Sequence, residues 1–132
     1  MKPEIEQHLA RADELLRLGR QILGLGYPAD VVSRCYYAMF HGATAVLLEL
    51  GVERKSHHAL WAAFGQLVAK PGLMDARFHH TGIRLMRLRS RSDYLPEPDI
   101  LRKEAEESVQ AASEFLIACR TFLEKRETGP SP

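Results

Sequence analysis

From Pro28 to Gly51 the chain carries no further proline, and its apolar residues recur at helical spacing. Val32, Cys35, Tyr36, Met39, Ala43, Val46, Leu47 and Leu50 form one long stripe. Phe40, Ala45 and Leu48 add apolar surface off that line. Pro28 suits the first position of a helix, where its missing N–H would find no partner anyway, and Gly51 supplies a stop. A helix apolar over more than one stripe needs cover on more than one side. A small bundle built on it leaves some of that surface open, which predicts a symmetric dimer.

Four further segments carry the same period. The first runs from about Pro3 to Leu23, with Ile5, Leu9, Ala12, Leu16 and Leu23 in helical register before Gly24, Gly26 and Pro28 end it. Ser56 can cap a third helix through about Ala69, with Leu60, Trp61, Phe64, Leu67 and Val68 inward. Pro71-Gly72 is a turn, and a fourth helix spans roughly Asp75 to Ser92. The run Tyr94-Leu95-Pro96-Glu97-Pro98 is a loop, because two close prolines exclude a helix interior. The fifth helix runs from about Asp99 to Lys125, with Leu101, Ala105, Val109, Ala112, Phe115, Leu116, Cys119, Phe122 and Leu123 inward. No stretch alternates polar and apolar as a strand does. The expected fold class is therefore all-α, an up-down bundle of about five helices. It occupies residues 1–127 as one domain, with a disordered tail over 128–132.

A chain of 132 residues buries enough surface to fold without disulfides or metal. Cys35 and Cys119 fall in apolar patterns, outside any CxxC or zinc spacing, and read as reduced thiols. No metal site and no cofactor is expected. The charged, amphipathic N-terminus has no signal-peptide core, and no uncharged run is long enough for a membrane span, so the expected compartment is the cytoplasm. A net charge of +1 gives no global basic field. Any nucleic-acid binding must come from local clustering.

Such clusters exist. Arg34, Tyr37 and His41 are spaced by three and four on the second helix, so they share a face. That face is either solvated or the wall of a site suited to a phosphodiester. On the fourth helix Arg77, Arg84, Arg87 and Arg91, with His80, project to one side as a basic ridge. Ridges of this kind neutralise phosphates, and the alternative is a solvated face pairing with Glu104, Glu106 and Glu107. Arg89 projects instead with Phe78 and Leu85, toward the apolar side, where it needs a partner. Asp93, one turn on, can supply a carboxylate. The pair is either structural or the floor of a polar cleft.

Three blocks carry a family resemblance. Ser33-Arg34-Cys35-Tyr36-Tyr37-Ala38-Met39-Phe40-His41 is similar to the SRxYYAMFHAA-type second helix of small bacterial and archaeal HEPN proteins, the UPF0332-like group. Lys55-Ser56-His57-His58-Ala59 with Ala63-Phe64-Gly65, and Arg89-Ser90-Arg91-Ser92-Asp93-Tyr94, resemble two further blocks of that group in the same order. The resemblance implies a homodimer. It also implies a small nucleotidyltransferase as partner in a toxin–antitoxin pair. On the residues themselves, RNA or a nucleotide would be engaged over Arg84, Arg87, Arg89 and Arg91, with Arg34 and Tyr37 as further binding candidates. Many HEPN proteins are metal-independent endoribonucleases with an Arg-x4–6-His motif. Here four intervening residues after Arg89 lead to Tyr94, and the last histidine is His80. A binding module is therefore the first expectation. An endoribonuclease using Arg89, Asp93 and Tyr94 with His41 or His57 as base is the alternative. A helical scaffold is the third.

Overall fold

A computed structural model describes residues 1–96 and 99–127. Five α-helices follow in order: α1 (Pro3–Leu25), α2 (Pro28–Glu49), α3 (His57–Phe64), α4 (Arg77–Tyr94) and α5 (Arg102–Glu127). A π-helical turn over Gly65–Ala69 continues α3. Among the described residues there is no strand. The expected tail, 128–132, lies outside the described residues, as do Glu97 and Pro98 of the proline loop.

The second helix is the hub. It packs on α1, α3, α4 and α5, and its buried residues run almost all the way round, from Val31 to Leu47. Pro28 opens it and a Schellman turn closes it. There the Val52 N–H donates to the Leu47 carbonyl at 2.9 Å and the Gly51 N–H to the Leu48 carbonyl at 3.0 Å, with Gly51 at φ 76°. Gly42 sets the approach of α5, since a Cβ there would stand 2.8 Å from Leu116 Cδ2. Burying side chains such as Met39, Leu47, Leu60, Leu85 and Phe115 contributes roughly 1.5–3 kcal/mol apiece before entropy is counted.

Several expectations shift. Ala45 is fully buried, and Phe40 and Leu48 are partly covered within the one chain, so α2 leaves no open apolar strip. The large exposed apolar side chains lie elsewhere. Leu67, expected inward, is 39% exposed, because the π turn adds a residue to the helical period and rotates it outward while Val68 stays buried. The fourth helix starts two residues late, where the Asp75 side chain accepts from the Arg77 N–H at 2.9 Å, and it extends to Tyr94. The fifth begins at Arg102, so Leu101 is exposed and Ile100 takes the buried place.

Candidate functional site

Where α2, α3 and α4 meet, a hydrogen-bonded chain runs from the core to the surface. It starts at Trp61, the protein's one tryptophan, which is 1% exposed. Its indole lies against Gly82 of α4, where a Cβ would come within 2.4 Å of the ring. The indole N–H donates to the Tyr36 hydroxyl at 3.2 Å, and that hydroxyl lies 2.5 Å from Nδ1 of His57. An indole only donates, so the phenol accepts from Trp61; since Tyr36 has no other hydrogen-bond partner among the described residues, its own proton is assigned to His57. His57 Nδ1 is then the acceptor, and the neutral ring carries its proton on Nε2. Burial pushes the Tyr36 phenol up to about 12, so it keeps that proton. The His57 pKa is lowered, first by burial and then by the positive charge of Arg89, with His58 adding to it.

The backbone fixes His57 through the start of α3. Ser56 sits in extended geometry, and its hydroxyl accepts from the Ala59 N–H at 3.1 Å, as an N-cap should. The ring is then enclosed by aromatics: it stacks on Tyr36 at 5.5 Å, tilts over Phe40 at 4.6 Å and meets Tyr37 edge-on at 5.8 Å.

Arg89 enters the same cluster from α4. Its guanidinium carbon lies 5.2 Å from the Tyr37 ring centre and 5.6 Å from that of Tyr36, within cation–π range. NH1 donates to Asp93 at 2.8 Å. The Arg89 side chain is only 21% exposed, whereas Asp93 is 54% exposed. Arg89 Nε is buried and has no hydrogen-bond partner among the described residues. Arg89 thus brings a largely buried guanidinium, 21% exposed, to the cluster beside His57, and among the described residues neither its Nε nor His57 Nε2 makes a hydrogen bond.

The other candidates divide. Tyr37 belongs to the cluster, but Arg34 and His41, seven residues apart, turn toward α1. Arg34 is exposed beside Gly19, and His41 Nδ1 lies 2.9 Å from His8 Nδ1. The expected column of Arg34, Tyr37 and His41 is thus split across two faces, and His41 is not placed to act with Arg89. Burial, followed by the charges of His8 and Arg11, pushes His41 down to about 4. Tyr94 is 85% exposed at the end of α4, outside the aromatic cluster. Arg84, Arg87 and Arg91 do share one face, lining a hollow with Leu88 and Glu104. Arg91 pairs with Asp99 at 3.3 Å, and Arg77 is drawn away to Asp75 and Glu114. Arg84 and Arg87 have no ion-pair partner among the described residues.

Sequence reasoning placed Tyr36 and Trp61 in apolar stripes and missed the link between them. The signal was available: a buried phenol and a buried indole N–H each need a partner. His8 gave no such signal, since nothing in its spacing marks His41 across the helix pair. Among the described residues no three His, Cys, Asp or Glu side chains converge as metal ligands do, and no helix is long and apolar enough to cross a membrane.

The family model of the HEPN domain matches residues 5–122, nearly the whole helical bundle. The chain belongs to the HEPN domain family. Curated relatives agree in extent. A UPF0332 protein of Gloeobacter violaceus is 33% identical over 124 residues, covering 88% of this chain and 98% of its own. A UPF0332 protein of Thermotoga maritima is 27% identical over 120 residues, covering 91% of each. A protein of Methanocaldococcus jannaschii provisionally named a toxin is 27% identical over 125 residues, covering 95% of this chain and 92% of its own. In this HEPN domain the Tyr36–His57–Arg89 cluster draws one member from each of the three blocks that carry the resemblance.

Proposed function

We propose that this HEPN protein is the toxin-like member of a two-protein system and works as a dimeric module that binds RNA or a nucleotide by its phosphates. The observation that carries the reading is Arg89: a guanidinium held over Tyr37 and Tyr36, anchored through NH1 to Asp93 and still 21% exposed, whose Nε has no hydrogen-bond partner among the described residues. A phosphate oxygen is the ligand that suits a fixed guanidinium beside a second N–H donor. His57 supplies that second donor through Nε2. Its acceptor nitrogen is committed to Tyr36, so the cluster holds an anion more readily than it abstracts a proton. This favours binding over cleavage.

The toxin-like role is supported by the Methanocaldococcus jannaschii relatives and their provisional names. The nucleotidyltransferase partner is what the resemblance implies, and a cytoplasmic setting belongs to the same proposal. A dimer finds support at one end of the bundle. There Arg102 reaches the Leu23 carbonyl, and Leu25, Tyr27, Tyr94, Leu95 and Leu101 are each at least 41% exposed.

The test is incubation of the pure protein with labelled single-stranded RNA in chelator, scored for both binding and cleavage. Binding of intact RNA that is lost in Arg89→Ala is the expected result. RNA cut by the wild type and spared by His57→Ala would replace this reading with the endoribonuclease. Intact RNA that Arg89→Ala binds as well as the wild type does would overturn the assignment of Arg89.

A further inference from the structure

Beside Trp61, α3 and α4 line an open groove of about 450 Å³ whose walls include His58, Ala62, Gln66, His79, Met86 and Arg87. Its size falls within the range of small-ligand sites. Two local features build it. The π turn begins at Gly65, where the Lys70 N–H donates back five residues to the Gly65 carbonyl at 2.9 Å. Gly65 also leaves room for His79, whose Nε2 lies 3.0 Å from the Trp61 carbonyl and would stand 2.6 Å from a Cβ at Gly65. Since a carbonyl only accepts, His79 carries its proton on Nε2. π turns are rare and recur at functional sites.

The groove does not end on α4. Ile83 and Arg87 also line a second hollow with His80 and Arg84, and Arg84 and Arg87 line a third with Leu88 and Arg91. A groove whose apolar wall is Trp61, Ala62, Ile83 and Met86 therefore has Arg87 in its lining and adjoins Arg84, the two arginines that have no ion-pair partner among the described residues. An apolar peptide would not use those cations, and a bare phosphate would not use the apolar wall. A nucleotide uses both.

We infer that the α3–α4 groove receives one unstacked base of a single-stranded RNA whose adjoining phosphates lie on Arg84 and Arg87. Gln66 offers an amide to the base edge, with both a donor and an acceptor. The inference deepens the proposed function, naming the form of RNA that the domain takes and a base subsite separate from the Arg89 phosphate site.

Fluorescence anisotropy on the full chain at low salt tests it. The probes are a labelled single-stranded RNA and the same strand with abasic riboses. Ala62→Phe fills the groove from an exposed position. It is expected to weaken the normal strand about tenfold, the scale of one base contact, and to leave both the abasic strand and the melting temperature unchanged. Gln66→Ala, which overfills nothing, is expected to weaken the normal strand alone. Arg84→Ala with Arg87→Ala should weaken both strands alike and flatten the salt dependence. Equal loss of the two strands in Ala62→Phe with an unchanged melt, or no loss in either groove variant, overturns the base subsite. Arg89→Ala separates this from the reading beneath it. Full binding by Arg89→Ala with loss in Ala62→Phe removes the Arg89 site and keeps the groove. No binding of either strand by the wild type removes both.

Discussion

Gly82→Ala is the sharpest test of how the core and the site are joined. A Cβ at this position would lie 2.4, 2.5 and 2.8 Å from three atoms of the Trp61 ring. An ordinary contact needs about 3.5–4.0 Å, so the ring must shift by roughly 1 Å. Phe64 at 5.7 Å and Phe115 at 6.3 Å hem it in, and its N–H bond to Tyr36 is already 3.2 Å long. A shift of that size breaks the bond. Overpacking costs about 1–3 kcal/mol and an unpaired buried N–H about 1–3 more, against a gain of about 1 kcal/mol from helix propensity. The expected net loss is about 1–5 kcal/mol, or roughly 4–20 °C in Tm for a chain of this size. Because Trp61 is the one tryptophan, its fluorescence should report the shift in the native state and the melt together. A Trp61→Phe background removes the clashing atoms, so Gly82→Ala should cost much less there. Equal cost in both backgrounds, or no cost in the wild type, would refute the packing argument.

Two other outcomes follow from charge. His41 is held at about 4 in the fold but titrates near 6.5 once unfolded, so below pH 6.5 the unfolded chain gains a proton that the folded one refuses. Stability should fall by up to about 1.4 kcal/mol per pH unit between 6.5 and 4, with nothing lost above 6.5; His41→Leu should flatten denaturant midpoints over that window, and an unchanged slope would refute the assignment. Arg89→Ala should change stability by less than about 1 kcal/mol by thermal melt, because its partner Asp93 is exposed and stays solvated when the pair is broken; a loss of several kcal/mol would make Arg89 structural.

The bundle was legible because the period of α2 repeats over its whole length and is bounded by Pro28 and Gly51. Periodicity reports which side of a helix is apolar, and that suffices to count helices and fix their order. It does not report what a side chain reaches across a helix pair. Hence Arg34, Tyr37 and His41, on nearly one face by spacing, divide between α1 and the α2–α4 seam. The same limit hid the π turn, whose extra residue moves Leu67 outward without any change of composition. Arg89 was legible as an anomaly, a cation on the apolar side, and Asp93 as its nearest carboxylate. Its aromatic bed was not, because Tyr36 and Tyr37 lie some fifty residues away in the chain.

The Trp61–Tyr36–His57 link bears on chemistry as well as packing. For His57 to act as a base toward a ribose hydroxyl, a ring nitrogen must be free to accept. Nδ1 is held by a phenol that burial keeps protonated, and Nε2 carries the proton. Freeing Nδ1 means breaking a 2.5 Å bond and leaving a buried hydroxyl unsatisfied, at about 1–3 kcal/mol. That is a penalty of roughly five- to 150-fold on any base-catalysed step, at 1.36 kcal/mol per factor of ten. Tyr36→Phe separates the two roles. It frees Nδ1 without removing the ring that stacks on His57. Under the binding reading, Tyr36→Phe lets the imidazole flip and loosens RNA binding, with no cleavage gained. If the variant instead cuts RNA faster than the wild type, the link is a brake on a latent endoribonuclease, and the binding reading fails.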